Sequence, residues 1–247
     1  MNFNPDRHKC VMRFVDGDSA VLFVHGIQGS PCQFRFLTDS LPDSVSFVNL
    51  LLPGHGADHR SFRRSCFAEW QEAVSAAALE LKSRYRKVYF VGHSMGCLLG
   101  LRSVYKDGIN FDGMLLIACP LKLRFTFRYL THNYLTVFIR NSKNVFMQAS
   151  VEANSISAKF PWQYFSCTHP YVELLRLIKL VRAEIRDPGC RLIAAHMAKD
   201  EIVSKRSLDI LRGIEEADKH IYSGCGHNYF RQIAGEDICR LLSELIQ

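Results

Sequence analysis

In the stretch "YFVGHSMGCLLG", residues 89–100, one serine stands between two glycines. The residues before it are aromatic and β-branched, and those after it are small or leucine. That pattern is a strand reversing sharply into a helix. Ser94 would then stand at a helix N-terminus, where amide groups favour developing negative charge. So tight a reversal strains the serine backbone and crowds the positions two residues to either side, which are Gly92 and Gly96. A hydroxyl presented this way suits nucleophilic attack on a carbonyl carbon. A glycine-rich tight turn with no chemistry is the competing reading of these five residues taken alone.

A serine nucleophile needs a base, a carboxylate to orient the base, and donors for the oxyanion. "SGCGHNYF" places His227 after the last apolar run and before the final helix, where a base is expected. "LIAAHMAKDEIV" offers Asp200 as the acid at the end of the preceding strand, with Glu201 as the alternative. The loop after "GMLLIAC", the other place for such an acid, holds Cys119 and Pro120. The oxyanion donors expected are the Met95 amide and, from "FVHGIQGSP", the Ile27 amide. His25 is expected to brace its own loop. His55 and His59 in "PGHGADH" could be imagined as a metal pair, but Gly54 and Gly56 oppose a helical i, i+4 arrangement, so no metal is expected.

These groups require a scaffold that brings distant positions to one edge. "CVMRFV" and "AVLFVH" flank "DGDS" and read as a hairpin with an Asp-Gly turn. "SPCQFRFLTDSL" reads as a helix with Ser30 as its cap and Pro31 in its first turn. From Phe67 to Tyr85 the positions Phe67, Trp70, Val74, Ala77, Ala78, Leu81 and Tyr85 recur every three or four residues, the spacing of an amphipathic helix. "SVSFVNLLLP", "KVYFV", "GMLLIAC", "CRLIAAHM" and "KHIYS" read as strands. Further helices are expected in "MGCLLGLRSVY", around "SKRSLDILRGI" and within Tyr229–Ile246. Near-continuous apolar strands alternating with helices imply an α/β fold, a doubly wound and mostly parallel sheet covered on both faces. Sites in such sheets form at the carboxyl ends of the strands. Residues 120–169 break the alternation and read as an inserted, mainly helical cap on a core of residues 1–119 and 170–247.

The 247 residues suffice for one substantial core, and 22% charged residues give no sign of disorder. Nine cysteines without a Cys-x-x-Cys pair argue for reduced thiols and a cytoplasmic location. The first residues lack the apolar core of a signal peptide, and no apolar run has the length of a membrane span. The net charge of +7 raises the question of nucleic acid, but no binding motif or dense basic run accompanies it, so nucleic acid is not expected.

The motifs "HGIQGSP", "LLPGHG", "FAEW", "GHSMG", "KDEIV" and "SGCGHNYF" lie in order across nearly the whole chain outside the cap. In this the chain resembles the α/β-hydrolase superfamily, specifically the bacterial carboxylesterase and monoacylglycerol-lipase-like group with a small helical cap. The order Ser94, Asp200, His227 is that of the family. The resemblance implies Ser94 as nucleophile, Asp200 and His227 as its partners, and Ile27 and Met95 as oxyanion donors. It implies hydrolysis of a carboxylic ester or monoacyl lipid through an acyl-serine, without metal or organic cofactor. A thioesterase or acyltransferase would use the same triad, and a serine peptidase or a non-catalytic binding protein would share the scaffold. Two features depart from the pattern: Cys97 follows the elbow where many relatives have glycine or alanine, and the histidine loop "SGCGH" carries an extra residue.

From Cys119 to Val151 there is no Asp or Glu. Lys122, Arg124, Arg128, Arg140 and Lys143 are interleaved there with Phe125, Phe127, Tyr129, Tyr134, Phe138 and Phe146. Such a segment can dock on an anionic membrane surface or steer an anionic substrate. The plainer reading is aromatics packed on the sheet with solvated basic groups.

Overall fold

The inner strands distribute alternate side chains between two apolar clusters. In β2 (Ser19–Val24), Ala20, Leu22 and Val24 belong to one cluster, and Val21 and Phe23 to the other. β4 (Lys87–His93) divides in the same way, with Val88 and Phe90 opposite Tyr89 and Val91. Strands buried on both faces have no polar side to alternate, which is why they read as unbroken apolar runs. The computed structural model describes residues 5–124, 143–158, 160–211, 214 and 217–247.

Among the described residues, seven strands form one sheet in the order β1-β3-β2-β4-β5-β6-β7. The others are β1 (Val11–Arg13), β3 (Ser46–Leu50), β5 (Gly113–Ile117), β6 (Arg191–Met197) and β7 (Asp218–Tyr222). β1 runs antiparallel to β3, and every other pairing is parallel. The carboxyl ends of β2, β4, β6 and β7 therefore lie along one edge, with β4 at the centre.

The described helices are α1 (Arg35–Thr38), α2 (His59–Phe62), α3 (Phe67–Arg84), α4 (Met95–Tyr105), α5 (Val145–Ala153), α6 (Thr168–Glu184), α7 (Arg206–Ile210) and α8 (Gln232–Ile246). α3, α4 and α6 cover one face of the sheet, and α1 and α8 the other. α3 buries Trp70, Val74, Ala78 and Leu81, four of the periodic positions. This is the doubly wound, mostly parallel α/β architecture expected from the sequence.

Three local features differ from the sequence reading. β1 and β2 do not form a hairpin, because β3 lies between them. Both edges of β2 are taken by parallel partners, β3 and β4, and β1 is left to pair with β3. Residues 31–38 form a 3-10 turn, Pro31–Phe34, followed by the short α1, and the Ser30 side chain does not cap them. Its hydroxyl is bound instead to His8 Nδ1 at 2.7 Å. The third feature is α6, which the sequence reading passed over. It buries Leu174, Leu177, Ile178 and Val181 and one acid, Glu173. Glu173 receives the Phe67 amide at the N-terminus of α3 and the Arg176 guanidinium, so a carboxylate meets the positive end of a helix.

Within 120–169, the described residues include α5 and a 3-10 turn, Pro161–Cys167. Two isolated bridges tie this region to the core, Leu123 to Val203 and Ser157 to Asp58. Lys122, Arg124, Lys143 and Phe146 of the basic aromatic segment are described; Phe125, Phe127, Arg128, Tyr129, Tyr134, Phe138 and Arg140 lie outside the described residues.

Candidate active site

β4 delivers Ser94 to the centre of the carboxyl edge with φ 51° and ψ −120°. Positive φ is costly for a residue with a side chain and persists only where the surroundings enforce it. Here the Ser94 amide donates to the Ile117 carbonyl on the neighbouring strand at 2.8 Å, and the Ser94 carbonyl receives the Cys97 amide at 2.9 Å. A β-carbon at Gly96 would lie 1.9 Å from the Val24 carbonyl oxygen, and one at Gly92 would lie 2.7 Å from the Cys97 amide nitrogen. Both positions thus require glycine for close backbone approach. Cys97 is fully buried, with its thiol toward the Gly92 and Ile117 carbonyls at 3.2 and 3.3 Å.

β6 and β7 supply the other two groups. Their loops are joined where the Ala198 amide donates to the Tyr222 carbonyl and the Lys199 amide to the Cys225 carbonyl. Asp200 Oδ2 lies 2.8 Å from His227 Nδ1. Asp200 Oδ1 accepts the amides of Ile202 and Val203 at 2.8 and 2.7 Å, so the carboxylate is fixed at both oxygens. Glu201, the alternative acid, receives the backbone amide of His227 at 3.2 Å. Among the described residues no hydrogen bond reaches from Ser94 Oγ to His227. The elbow and the histidine loop meet one residue away. His93 Nε2 donates to the His227 carbonyl oxygen at 2.9 Å, and the two rings lie 4.9 Å apart.

The loop after β2 completes the cluster. A β-carbon at Gly26 would lie 2.9 Å from Ser94 Cβ, so this loop passes directly over the serine. Ile27 and Met95 carry backbone N–H groups that donate to no other group among the described residues. The next amide along, that of Gln28, is taken by His55 Nε2 at 3.2 Å, with Gln28 at φ 57°. His55 Nδ1 donates in turn to the Pro53 carbonyl oxygen at 3.1 Å. His25 braces the same loop, donating from Nδ1 to the Gly26 carbonyl oxygen and accepting the Leu52 amide at Nε2. Ser155, just beyond α5, binds it with its amide on the Gln28 carbonyl (2.7 Å) and its hydroxyl on the Gly29 carbonyl (2.6 Å). The sequence reading anticipated the bracing role of His25. It did not find His55 or Ser155 as clamps, and a lone serine in "EANSIS" carries no signal by which it could have been found.

Four of the buried histidines, His25, His55, His93 and His227, belong to the loops that meet at the elbow or brace them, and their environments divide them. Burial pushes His25 well below the ordinary histidine value, His55 down to about 4 and His93 down to about 3. All three are neutral near pH 7, each in a tautomer fixed by a backbone carbonyl. Burial also pulls on His227, but the charge and hydrogen bond of Asp200, with Glu201, hold it above the ordinary value. Burial raises Asp200, and the His227 charge and hydrogen bond, with the amides of Val203 and Ile202, outweigh it and keep the carboxyl below the usual range. Of the four, only His227 is held with Nδ1 bound to a carboxylate and its proton affinity raised, the state suited to a general base.

A cavity of about 170 Å³ adjoins the elbow through His93, with Phe34, Ile117 and Phe230 among its walls. Ser94 does not line it. No three His, Cys, Asp or Glu side chains among the described residues are grouped to hold a metal ion.

The fold and its central elbow agree with a known family: residues 21–239 match the alpha/beta hydrolase family. The chain belongs to that family. A stretch of 87 residues of this alpha/beta hydrolase is 33% identical to a thermostable monoacylglycerol lipase from Bacillus sp. (strain H-257), over 35% of each chain. Among solved structures, the Paleococcus ferrophilus monoacylglycerol lipase superposes with a TM-score of 0.70 at 14% identity, over 96% of this chain and 98% of that one. The meta-cleavage product hydrolase of Pseudomonas fluorescens IP01 superposes with a TM-score of 0.69 at 16% identity, over 96% and 93%. These structures share the fold. Their differing names show that it serves hydrolases with different substrates. No helix among the described residues of this alpha/beta hydrolase is long and apolar enough to cross a membrane.

Proposed function

We propose that the protein is a serine hydrolase of carboxylic esters, with small esters or monoacyl lipids as substrates and no metal or organic cofactor. Ser94 Oγ attacks the ester carbonyl carbon while His227 Nε2 takes its proton. Asp200 holds the imidazole in the tautomer that leaves Nε2 free and stabilises the imidazolium as it forms. The amides of Ile27 and Met95 receive the oxyanion. His227 then protonates the departing alcohol, leaving an acyl-serine. Water attacks that acyl carbon while His227 takes its proton, and His227 returns the proton to Ser94 Oγ as the acyl–oxygen bond breaks and the acid departs.

The observation that carries this reading is the 2.8 Å Asp200–His227 hydrogen bond beside a serine held at φ 51°. The two uncommitted amides in the neighbouring loops support it, as does the partial identity with a monoacylglycerol lipase. A cytoplasmic location accompanies the proposal and is supported by nine cysteines that are all free thiols.

The test is a hydrolysis profile of the purified protein beside Ser94→Ala. Substrates would be p-nitrophenyl esters of short to long chain, monoacylglycerols and acyl-CoAs. Ester turnover that disappears in the variant is the expected result. Preference for acyl-CoA would make the enzyme a thioesterase, and equal activity in both proteins would remove Ser94 from the mechanism.

A further inference from the structure

The outer side of α6 and the turn leading into it is not finished as an ordinary solvent face. Trp162 and Phe165 in the turn, and Val172 and Leu175 in the helix, are 62%, 54%, 45% and 47% exposed. With Phe160 and Leu180 they make up six of the thirteen exposed large hydrophobic residues among those described, all within residues 160–180. Such concentration distinguishes a patch from the scattered apolar side chains of any surface. Trp162 and Phe165 are three apart in the 3-10 turn, Val172 lies two turns beyond in the helix that continues it, and Leu175 three further, so these four side chains share one face. Phe160 and Trp162 stack on each other at 4.4 Å with nearly parallel rings.

The charges along the stripe have one sign. Arg176, Lys179 and Arg182 are exposed. The only acid from 160 to 183 is Glu173, which is buried and committed to Arg176 and the Phe67 amide. α2 packs beside the same turn, where the Cys167 thiol donates to the His59 carbonyl oxygen at 3.6 Å. It is followed by Arg63 and Arg64, which with Arg60 are exposed and form no ion pair among the described residues.

We propose that this stripe docks the protein on an anionic lipid bilayer. Trp162 and Phe165 enter the boundary between headgroups and acyl chains, and Arg63, Lys179 and Arg182 reach lipid phosphates. Apolar rings beside cations, with no exposed carboxylate between residues 160 and 183, match such a surface; the nearest exposed acid on α2, Asp58, is held by the amides of Arg60 and Ser61. A second copy applied by two-fold symmetry would set cations against cations. Beneath the stripe, Phe62, Ile156 and Cys167 pack against Ile27, so the docked face lies one layer above the loop that crosses Ser94. The inference does not depend on the ester-hydrolase reading.

The chain has two tryptophans, and Trp70 is fully buried while Trp162 is 62% exposed. A shift in emission on adding vesicles therefore reports Trp162. The full chain would be mixed with phosphatidylcholine vesicles, with and without phosphatidylglycerol, and followed by fluorescence and co-sedimentation. A blue shift and binding with the anionic vesicles, weakened by high salt, are expected. Lys179→Ala and Arg182→Ala should each weaken binding about five-fold. Trp162→Ala and Phe165→Ser should weaken it further at unchanged melting temperature and unchanged turnover of a soluble ester. Three results would overturn the proposal: no shift with anionic vesicles, equal binding to neutral and anionic vesicles, or a blue-shifted dimer by light scattering without lipid.

Discussion

Replacing Asp200 by Asn separates orientation of the base from construction of its loop. In the native protein Asp200 Oδ1 accepts two amides and Oδ2 receives Nδ1–H of His227. Asn keeps an oxygen for the Ile202 and Val203 amides, so the loop retains its hydrogen bonds. Its amide group then faces Nδ1 and donates to it, which forces the ring proton onto Nε2. An imidazole in that tautomer cannot accept the Ser94 proton. In a serine-protease triad the same exchange lowers kcat about 10⁴-fold, or roughly 5.4 kcal/mol of transition-state stabilisation. Asp200→Ala should lose the same activity and also leave two inward amides unpaired, at about 1–3 kcal/mol each. Its melting temperature should therefore fall, by roughly 2–4 °C for each kcal/mol. The assay is kcat on a soluble p-nitrophenyl ester together with thermal melts of both variants. If Asp200→Asn kept activity within about ten-fold of the native protein, Asp200 would not control the tautomer and the mechanism would be wrong.

In the proposed mechanism His227 must be neutral to act, and its proton affinity is raised, so kcat/KM should rise with pH through a value above the ordinary histidine pKa of 6.5. Glu201 contributes to that rise; Glu201→Gln should move the ascending limb to lower pH, and a limb moved upward would contradict the assignment. Gly96→Ala drives a β-carbon against the Val24 carbonyl; at about 3 kcal/mol or more, the melting temperature should drop by roughly 6–12 °C or folded protein should be absent. A native-like melt would show that the elbow can give way. His55→Leu removes the acceptor of the Gln28 amide and should lower kcat by about ten-fold or more, short of the 10²–10³ for a lost oxyanion donor. Unchanged kcat at an unchanged melting temperature would show that the loop holds itself.

The elbow was legible because most of its requirements are local. Gly92 is glycine for a contact made within the turn, with the Cys97 amide, and the strand and helix around it have strong and different periods; the demand on Gly96 comes from the Val24 carbonyl of β2, distant in sequence. The inner strands were legible because burial on both faces leaves a continuous apolar run, whereas β1 and β7 at the edges are partly exposed. The hairpin of β1 and β2 was misread for the opposite reason: Asp-Gly is a local signal, whereas β3 enters between those strands from more than twenty residues away. α6 carries an ordinary helical stripe in Leu174, Leu177, Ile178 and Val181 and could have been found from it. The role of His55 was hidden because its partners, the Gln28 amide and the Pro53 carbonyl, are backbone groups that no residue pattern announces.

The strand order bears on when activity is acquired as the chain folds. β4, β5, β6 and β7 join the sheet in chain order, each beside its predecessor, so the sheet grows outward in one direction. The serine turn needs only β2, β4 and β5, all present by residue 117. Asp200 and His227 follow β6 and β7, the last two strands in the chain. A partly folded chain can therefore hold a finished serine turn with neither Asp200 nor His227 beside it. Long-range parallel pairing forms slowly because loop closure precedes its reward. Refolding followed in parallel by circular dichroism and by ester turnover should show helix content returning first and turnover with the final strands. Turnover is thus a readout of the completed sheet, and simultaneous recovery of both signals would mean that the sheet assembles in one step.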